Sequence, residues 1–250
     1  QSACMSQKFL AVLRERWLSF RNKGWRSGLV LVAVTAVLLA LGCCLLALLP
    51  WPELEDFLGR PYSTRLYDRN GQLLQVLPLE SGLRREWYDL DQLPPRVVEV
   101  FLAAEDQRFY QHSGFDWKEI GNAIEERKAG KRKRGGSTIS QQTAKNVFTF
   151  CTSTWARKAV EAYYTVLIEW LWPKERILEV YLNSIEMGPR IYGAEAVARH
   201  HFGKSADGLT RSDCALIAAT LPNPKRYNSK VPSDYMRRRQ NDILVQMKLM

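Results

Sequence analysis

Histidine and cysteine are scarce in this chain, with three His and five Cys among 250 residues. Five cysteines cannot build a disulfide scaffold. No Cys-x-x-Cys pair occurs, so a cysteine zinc site or thioredoxin-type chemistry has no support. Cys43 and Cys44 sit inside a long apolar run, which leaves Cys151 and Cys214 as the only candidate intradomain pair; two buried free thiols are the expected state. His200-His201 has no further ligand at metal spacing and reads as structural. Internal repeats are lacking too. What the chain does have is apolar mass: 46% hydrophobic residues, with eight Trp, ten Tyr and nine Phe, exclude a mainly disordered protein. The length suits one or two domains with a substantial core.

Negative charge is the minority, 26 Asp+Glu against 36 Lys+Arg, for a net +10. Such an excess invites a nucleic-acid partner, but its placement argues otherwise. From Leu29 to Leu49 run 21 residues without a charge; as a helix they span ~30 Å, about one bilayer core. Pro50, Trp51 and Pro52 follow directly, without the small-x-small site of a signal peptide, so an uncleaved anchor is expected. Lys8, Arg14, Arg16, Arg21, Lys23 and Arg26, opposed by Glu15, put half of the excess on the preceding arm. The positive flank stays cytoplasmic, which places everything after Pro50 on the other side. Trp17, Trp25 and Trp51 bracket the span as interfacial aromatics do. Gln1 to Cys4 precede the first Met and are expected to be non-native. The expected organisation is a basic arm over 1–28, a transmembrane helix over 29–49, a linker and β-hairpin region over 50–92 and a catalytic domain over 93–250.

Asn70-Gly71 between partly alternating apolar runs in 63–77 predicts a β-hairpin. After Pro94-Pro95 the pattern turns helical through Val97, Val98, Phe101, Leu102 and Ala104, and segments 138–148, 155–171, 174–183, 192–202 and 211–221 also read as helices. Thr138-x-x-Gln141 and Thr210-x-x-Asp213 resemble capping boxes. With so few strands the fold class is mainly α, carrying a small β-containing region.

Four segments carry candidate chemistry. In Glu105-Asp106-Gln107-Arg108-Phe109-Tyr110-Gln111-His112-Ser113-Gly114, helical spacing sets Glu105 between Phe101 and Phe109 on an apolar stripe. Burial there would raise its pKa toward that of a useful general base; an exposed helix-end Glu framing Arg108 has the same spacing. Gly135-Gly136-Ser137-Thr138 at a helix start offers backbone N–H groups to an anion. Gln141 and Lys145 share one helical face, and Gln142 and Asn146 share another, suited to sugar hydroxyls and a phosphate or equally to a capped surface helix. Arg157 and Lys158 stand four and three residues before Glu161, as a diphosphate-binding pair or an ordinary ion-pair cluster. In Lys174 to Asn183, Ile177, Leu178, Tyr181 and Leu182 make a packing face, and Asn183 is the candidate polar contact.

Taken together, EDxRFxxHxG, GGSTIxQQxxKN, RKxxEA and KxRILExYLN stand in the order and approximate spacing of the peptidoglycan glycosyltransferases. The chain resembles that family over roughly residues 62–250, and its monofunctional members in particular. IEMGPRIYGAEAVARHHFGK and LTRSDCALIAATLPNP extend the likeness. Asp213-Cys214 where Glu-Ala is commoner, and His201 where an aromatic is usual, read as packing variation. Bifunctional relatives add a serine transpeptidase domain; no SxxK, SDN or KTG occurs here.

The resemblance implies a lysozyme-like helical fold that polymerises lipid II at the outer face of the cytoplasmic (inner) membrane, with the catalytic domain periplasmic. In that scheme Glu105 takes the proton of the acceptor hydroxyl. Lys145, Arg157 and Lys158 hold the lipid diphosphate, with Glu161 supporting, with or without a divalent cation (Mg or Mn). Asp106, Phe109, His112, Gly136, Ser137, Thr138, Gln141, Gln142, Asn146 and Asn183 line or brace the cleft. The implied partners are lipid II, the growing glycan strand, membrane lipid and other cell-wall synthesis or division proteins, with no nucleic acid. Arg127 to Arg134 holds six cations in eight residues, a solvated loop or a contact for anionic headgroups. Two rivals remain: a glycan-cleaving enzyme on a similar fold, and a non-enzymatic anchored protein that binds anionic polymers.

Overall fold

The computed structural model describes residues 28–42, 59–128, 130, 136–149 and 155–249. The chain divides into two compact units, Gln1–Glu53 and Leu54–Met250. In the first, residues 28–42 form helix α1, with Leu29 to Val32 and Val37 to Leu39 exposed. Among the described residues no helix is long and apolar enough to cross a membrane. The basic arm, residues 43–49 of the predicted span, Cys151 and most of the 127–134 basic run lie outside the described residues.

The second unit opens with the predicted hairpin, β1 (Thr64–Tyr67) paired antiparallel with β2 (Leu73–Leu77). Its turn is made by Asp68, whose Oδ1 accepts from the backbone N–H of Asn70 at 2.8 Å and Gln72 at 2.7 Å, and by Gly71 at φ 79°. β3 (Arg84–Arg85) pairs parallel with β5 (Ile191–Tyr192), which pairs antiparallel with β4 (Glu186–Gly188). That pairing overturns the continuous helix expected over 192–202. Tyr192 belongs to a strand, and Gly193 at φ 94° breaks the chain direction. α-Helix then lasts only four residues, Ala194–Val197, before a π-helical turn over Ala198–Phe202. Periodicity survives in that stretch because strand, short helix and wide turn all send apolar residues inward.

Seven longer helices complete the unit: α2 (Pro95–Glu105), α3 (Trp117–Lys128), α4 (Ile139–Phe148), α5 (Trp155–Leu171), α6 (Lys174–Ser184), then α8 (Arg211–Ala218) and α9 (Asp234–Met247), with α7 the four-residue Ala194–Val197. α8 stops three residues short of its predicted end, at turns that precede Pro222 and Pro224. α3 and α9 were not expected. α3 exposes Trp117 and Ile124, and α9 buries only Met236 and Ile243, so neither shows the broad apolar face that periodicity detects.

α6 is the axis of the core. Ile177, Leu178, Tyr181 and Leu182, the predicted packing face, have no exposed surface, nor does Val180 on the opposite side. α4 packs on α5 and α6, while α2 packs on α8 and α9. Each such apolar side chain taken from water stabilises the fold by ~1.5–3 kcal/mol. Trp172 packs against this core, while Trp170 and Leu171 are exposed. Buried Cys214 is a free thiol pushed up to about 12 by desolvation. His201 is a satisfied structural histidine: Nδ1 meets Ser229 Oγ at 2.6 Å, and burial lowers its pKa to about 4.

Candidate active site

The α2 helix ends at Glu105, one residue before the chain turns at Asp106. The apolar stripe expected from spacing is therefore interrupted. Phe109 lies beyond the helix, in the 3-10 turn Phe109–Gln111, and reaches the core from there, 1% exposed. The turn is enforced by Asp106, whose Oδ2 accepts from the Ile139 N–H at 3.0 Å while its carboxylate meets His112 Nε2 at 3.0 and 3.1 Å. Helical extension would pull Asp106 off both.

Glu105 keeps the environment that the stripe was meant to supply. Its side chain is 15% exposed. Gln142 Nε2 donates to Oε2 at 2.9 Å, and Arg239 Nη2 donates to Oε1 at 3.2 Å. Burial raises the carboxyl above its usual value, with Asp106 adding to the rise, and it outweighs the lowering by Gln142 and Arg239. A half-buried carboxylate poised upward is the state a general base needs near neutral pH.

The start of α4 also differs from the open anion site expected of it. The Ile139 N–H is taken by Asp106, so the anion at this helix terminus is the protein's own carboxylate. Thr138 completes the predicted capping box: Oγ1 accepts from the Gln141 N–H at 3.2 Å, and Gln141 Oε1 accepts from the Thr138 N–H at 3.0 Å. Thr138 Oγ1 also donates to the Gly114 carbonyl at 2.6 Å. Thr138 and Gln141 are thus braces. Gly136 and Ser137 are exposed ahead of them, Lys145 is exposed one turn beyond Gln141, and Asn146 is half-buried one turn beyond Gln142. Gly114 itself sits at φ +84°, pressed onto α5; a Cβ there would come within 2.8 Å of Thr165 Cγ2 and 3.1 Å of Glu169 Cγ.

On α5 the second carboxylate is buried, 2% exposed, and gripped by two cations. Arg157 Nη1 pairs with Glu161 Oε1, and Lys158 Nζ lies 2.7 Å from Oε2. A surface ion pair would have left the carboxylate in water. Here the anion is inside, and Lys158 remains 54% exposed. Asn183 is wholly a brace: its amide donates to the Tyr88 carbonyl at 2.7 Å and accepts from the Tyr88 N–H at 2.9 Å, tying the segment after β3 to α6. Among the described residues one group of three His, Asp or Glu side chains brings its donor atoms within 4.8 Å: Asp106, His112 and Asp116. Asp116 Oδ1 already accepts from Arg108 at 3.0 Å and caps α3 through the Lys118 and Glu119 N–H groups.

Arg239 is the site residue that sequence reasoning missed. Its signal was the i+3, i−4 position between Met236 and Ile243, legible only once α9 is known to be a helix.

The Transglycosylase family model matches residues 70–248. A "Biosynthetic peptidoglycan transglycosylase" of Bacteroides thetaiotaomicron is 54% identical over 166 residues, 66% of this chain and 67% of its own. The protein of the same name from Shewanella oneidensis is 51% identical over 168 residues, 67% of this chain and 72% of its own. That of Pectobacterium atrosepticum is 40% identical over 236 residues, 94% of this chain and 95% of its own. Penicillin-Binding Protein 1A from Haemophilus influenzae matches in structure with a TM-score of 0.38 and 22% identity, over 76% of this chain and 19% of its own. Motifs, family model and relatives agree: the chain belongs to the transglycosylase family and is a peptidoglycan glycosyltransferase.

Proposed function

We propose that the chain polymerises lipid II, the undecaprenyl-diphosphate-linked disaccharide, on a lysozyme-like helical domain, with Glu105 as general base. The carboxylate removes the proton of the acceptor's GlcNAc 4-hydroxyl. That oxygen forms a bond to C1 of the donor MurNAc as the bond from C1 to the diphosphate oxygen breaks. Attack from the opposite face inverts C1 and gives a β-1,4 linkage. The electron pair leaves with undecaprenyl diphosphate, whose charge Lys145, Arg157 and Lys158 stabilise. A diphosphate is already a good leaving group, so the protein needs one base and a set of cations.

The observation that carries this reading is Glu105 itself, buried enough to be raised above its ordinary value and held by Gln142 from the GGSTIxQQxxKN segment. Glu161 acts as the strut that aims Arg157 and Lys158. Were a Mg or Mn ion to bind with the diphosphate, Glu161 would be the carboxylate beside it, and the ion would supply charge neutralisation there. The apolar run 29–49 serves as a single-pass anchor in the cytoplasmic membrane, with the basic arm cytoplasmic and the catalytic domain periplasmic, which concentrates the enzyme where its lipid-linked substrate lies. Other cell-wall synthesis or division proteins are the partners this placement offers.

Purified protein given lipid II should lengthen glycan, and Glu105→Gln should stop it while the fold persists. Shortening of preformed glycan would instead identify a cleaving enzyme, and full function in Glu105→Gln a non-enzymatic binder.

A further inference from the structure

α9 carries three consecutive arginines, Arg237, Arg238 and Arg239, of which the first two are exposed. Met236 and Ile243, 1% and 2% exposed, mark the buried stripe of this helix. Arg239 follows Met236 by three and precedes Ile243 by four, so it lies on that stripe, where α9 packs on α2. Its Nη2 reaches Glu105 Oε1 at 3.2 Å, and its Nε is buried without an acceptor. As a stability device this is poor. An apolar residue would extend the stripe and leave no buried donor unsatisfied.

The surroundings of Glu105 show what the guanidinium is there to offset. Asp106 adds like charge from the next residue. From α6, Tyr181 presents a fully buried phenol whose hydroxyl has no partner and whose pKa is driven well up by burial and by Glu105 and Asp106. α4 contributes the neutral amide of Gln142. α8, also packed on α2, spends Arg211 on Glu99, six residues before Glu105. Among the described residues, Arg239 is the cation paired with Glu105.

We propose that Arg239 is a positioning residue for glycosyl transfer: its guanidinium keeps Glu105 ionised and fixes the direction of Oε1. The inference rests on the reading of Glu105 as the base. Each carboxylate oxygen has a second lone pair, so Arg239 and Gln142 can both stay in place while the acceptor hydroxyl delivers its proton. A base that serves every addition to a growing strand must also release that proton to solvent each time, and a paired cation favours the release.

The test is initial rates of lipid II polymerisation between pH 5 and 9 for wild type, Arg239→Met, Arg239→Gln, Arg239→Lys and Glu105→Gln, with melting temperatures. Loss of the cation should move the acid limb of kcat upward by about one unit, which lowers kcat on the limb itself by up to about tenfold. Near pH 9 the Met and Gln variants should return to within about threefold of wild type, with KM within about twofold. Arg239→Lys should recover most of the limb's position, and Arg239→Met should melt no lower than wild type. An unmoved limb in the Met and Gln variants, with Glu105→Gln inactive, overturns the role of Arg239 and leaves the base in place. Near-normal polymerisation by Glu105→Gln overturns both. Should the Met and Gln variants fail to fold, an unmoved limb in Arg239→Lys overturns the proposal on its own.

Discussion

Glu105 and Glu161 are both withdrawn from water, yet the chain surrounds them in opposite ways. Glu161, 2% exposed, is clasped by Arg157 and Lys158 on its own helix. Glu105, 15% exposed, has one neutral amide and one arginine, each from a different helix. Two cations on its own helix hold a buried carboxylate in one place, which suits a strut. One cation set against strong desolvation leaves the proton affinity raised, which suits a group that must pick up a proton and lose it. The lesson is that the partners, and not burial alone, divide the labour between two identical side chains.

The hardest blow to this contrast should come from Glu105→Gln. The amide keeps the shape and removes the proton acceptor, so polymerisation should fall about a thousandfold, in the range general-base catalysis supplies. Stability should change little. Because burial raises the Glu105 pKa in the folded state, the native protein holds that proton more tightly than the unfolded chain. The stability this gives is complete below the unfolded value and is lost as pH rises through the raised one. Gln is a neutral isostere of the protonated carboxyl, so Glu105→Gln should melt within a few degrees of wild type and lose the pH dependence this carboxyl contributes. A variant that is both inactive and unfolded would break the comparison.

Gly114→Ala strikes the scaffold behind both carboxylates. The φ of +84° and the 2.8 Å approach to Thr165 leave no room for a methyl group on α5, one turn from Glu161. The fold should lose about 2–4 kcal/mol from strain and overpacking together, seen as a lower denaturation midpoint. Glu161→Gln comes next. It leaves two partly exposed cations without their anion, so the loss should stay near 1–3 kcal/mol, below that for a fully buried pair. Activity should fall about tenfold to a hundredfold through mispositioned Arg157 and Lys158. Unlike Glu105→Gln, this variant should keep the position of the acid limb of its pH profile.

How much of this was legible before the structure depends on whether the signal was local. The Asn70-Gly71 hairpin, the Thr138 and Thr210 capping boxes and the packing face of α6 rest on residues within a turn of one another, and each stands as read. Motif spacing singled out Glu105, Arg157, Lys158 and Glu161, and the structure withdraws both carboxylates from water and sets both cations on Glu161. Hidden were features made by pairing distant segments. Asp106 terminates α2 because it is claimed by Ile139, 33 residues on. Tyr192 joins a strand because Arg85 waits for it. Arg239 reaches Glu105 across 134 residues, from a helix with too narrow an apolar stripe to announce itself.

The smallest effect separates the two cations that clasp Glu161. Lys158 is 54% exposed and Arg157 23%, so Lys158 has the freer side chain for a ligand and the lesser role in holding the carboxylate. Lys158→Gln should therefore leave stability within about 0.5 kcal/mol, as expected of a solvent-screened pair. Its cost should appear in KM for lipid II, about threefold to tenfold, and shrink as salt screens the diphosphate. Arg157→Gln should cost more in stability and less selectively in KM, because it removes the deeper of the two grips on a buried anion. If the two variants prove interchangeable in melting temperature and in KM, Glu161 is held as a symmetric salt-bridge knot, and the division between strut and ligand-facing cation within this cluster fails.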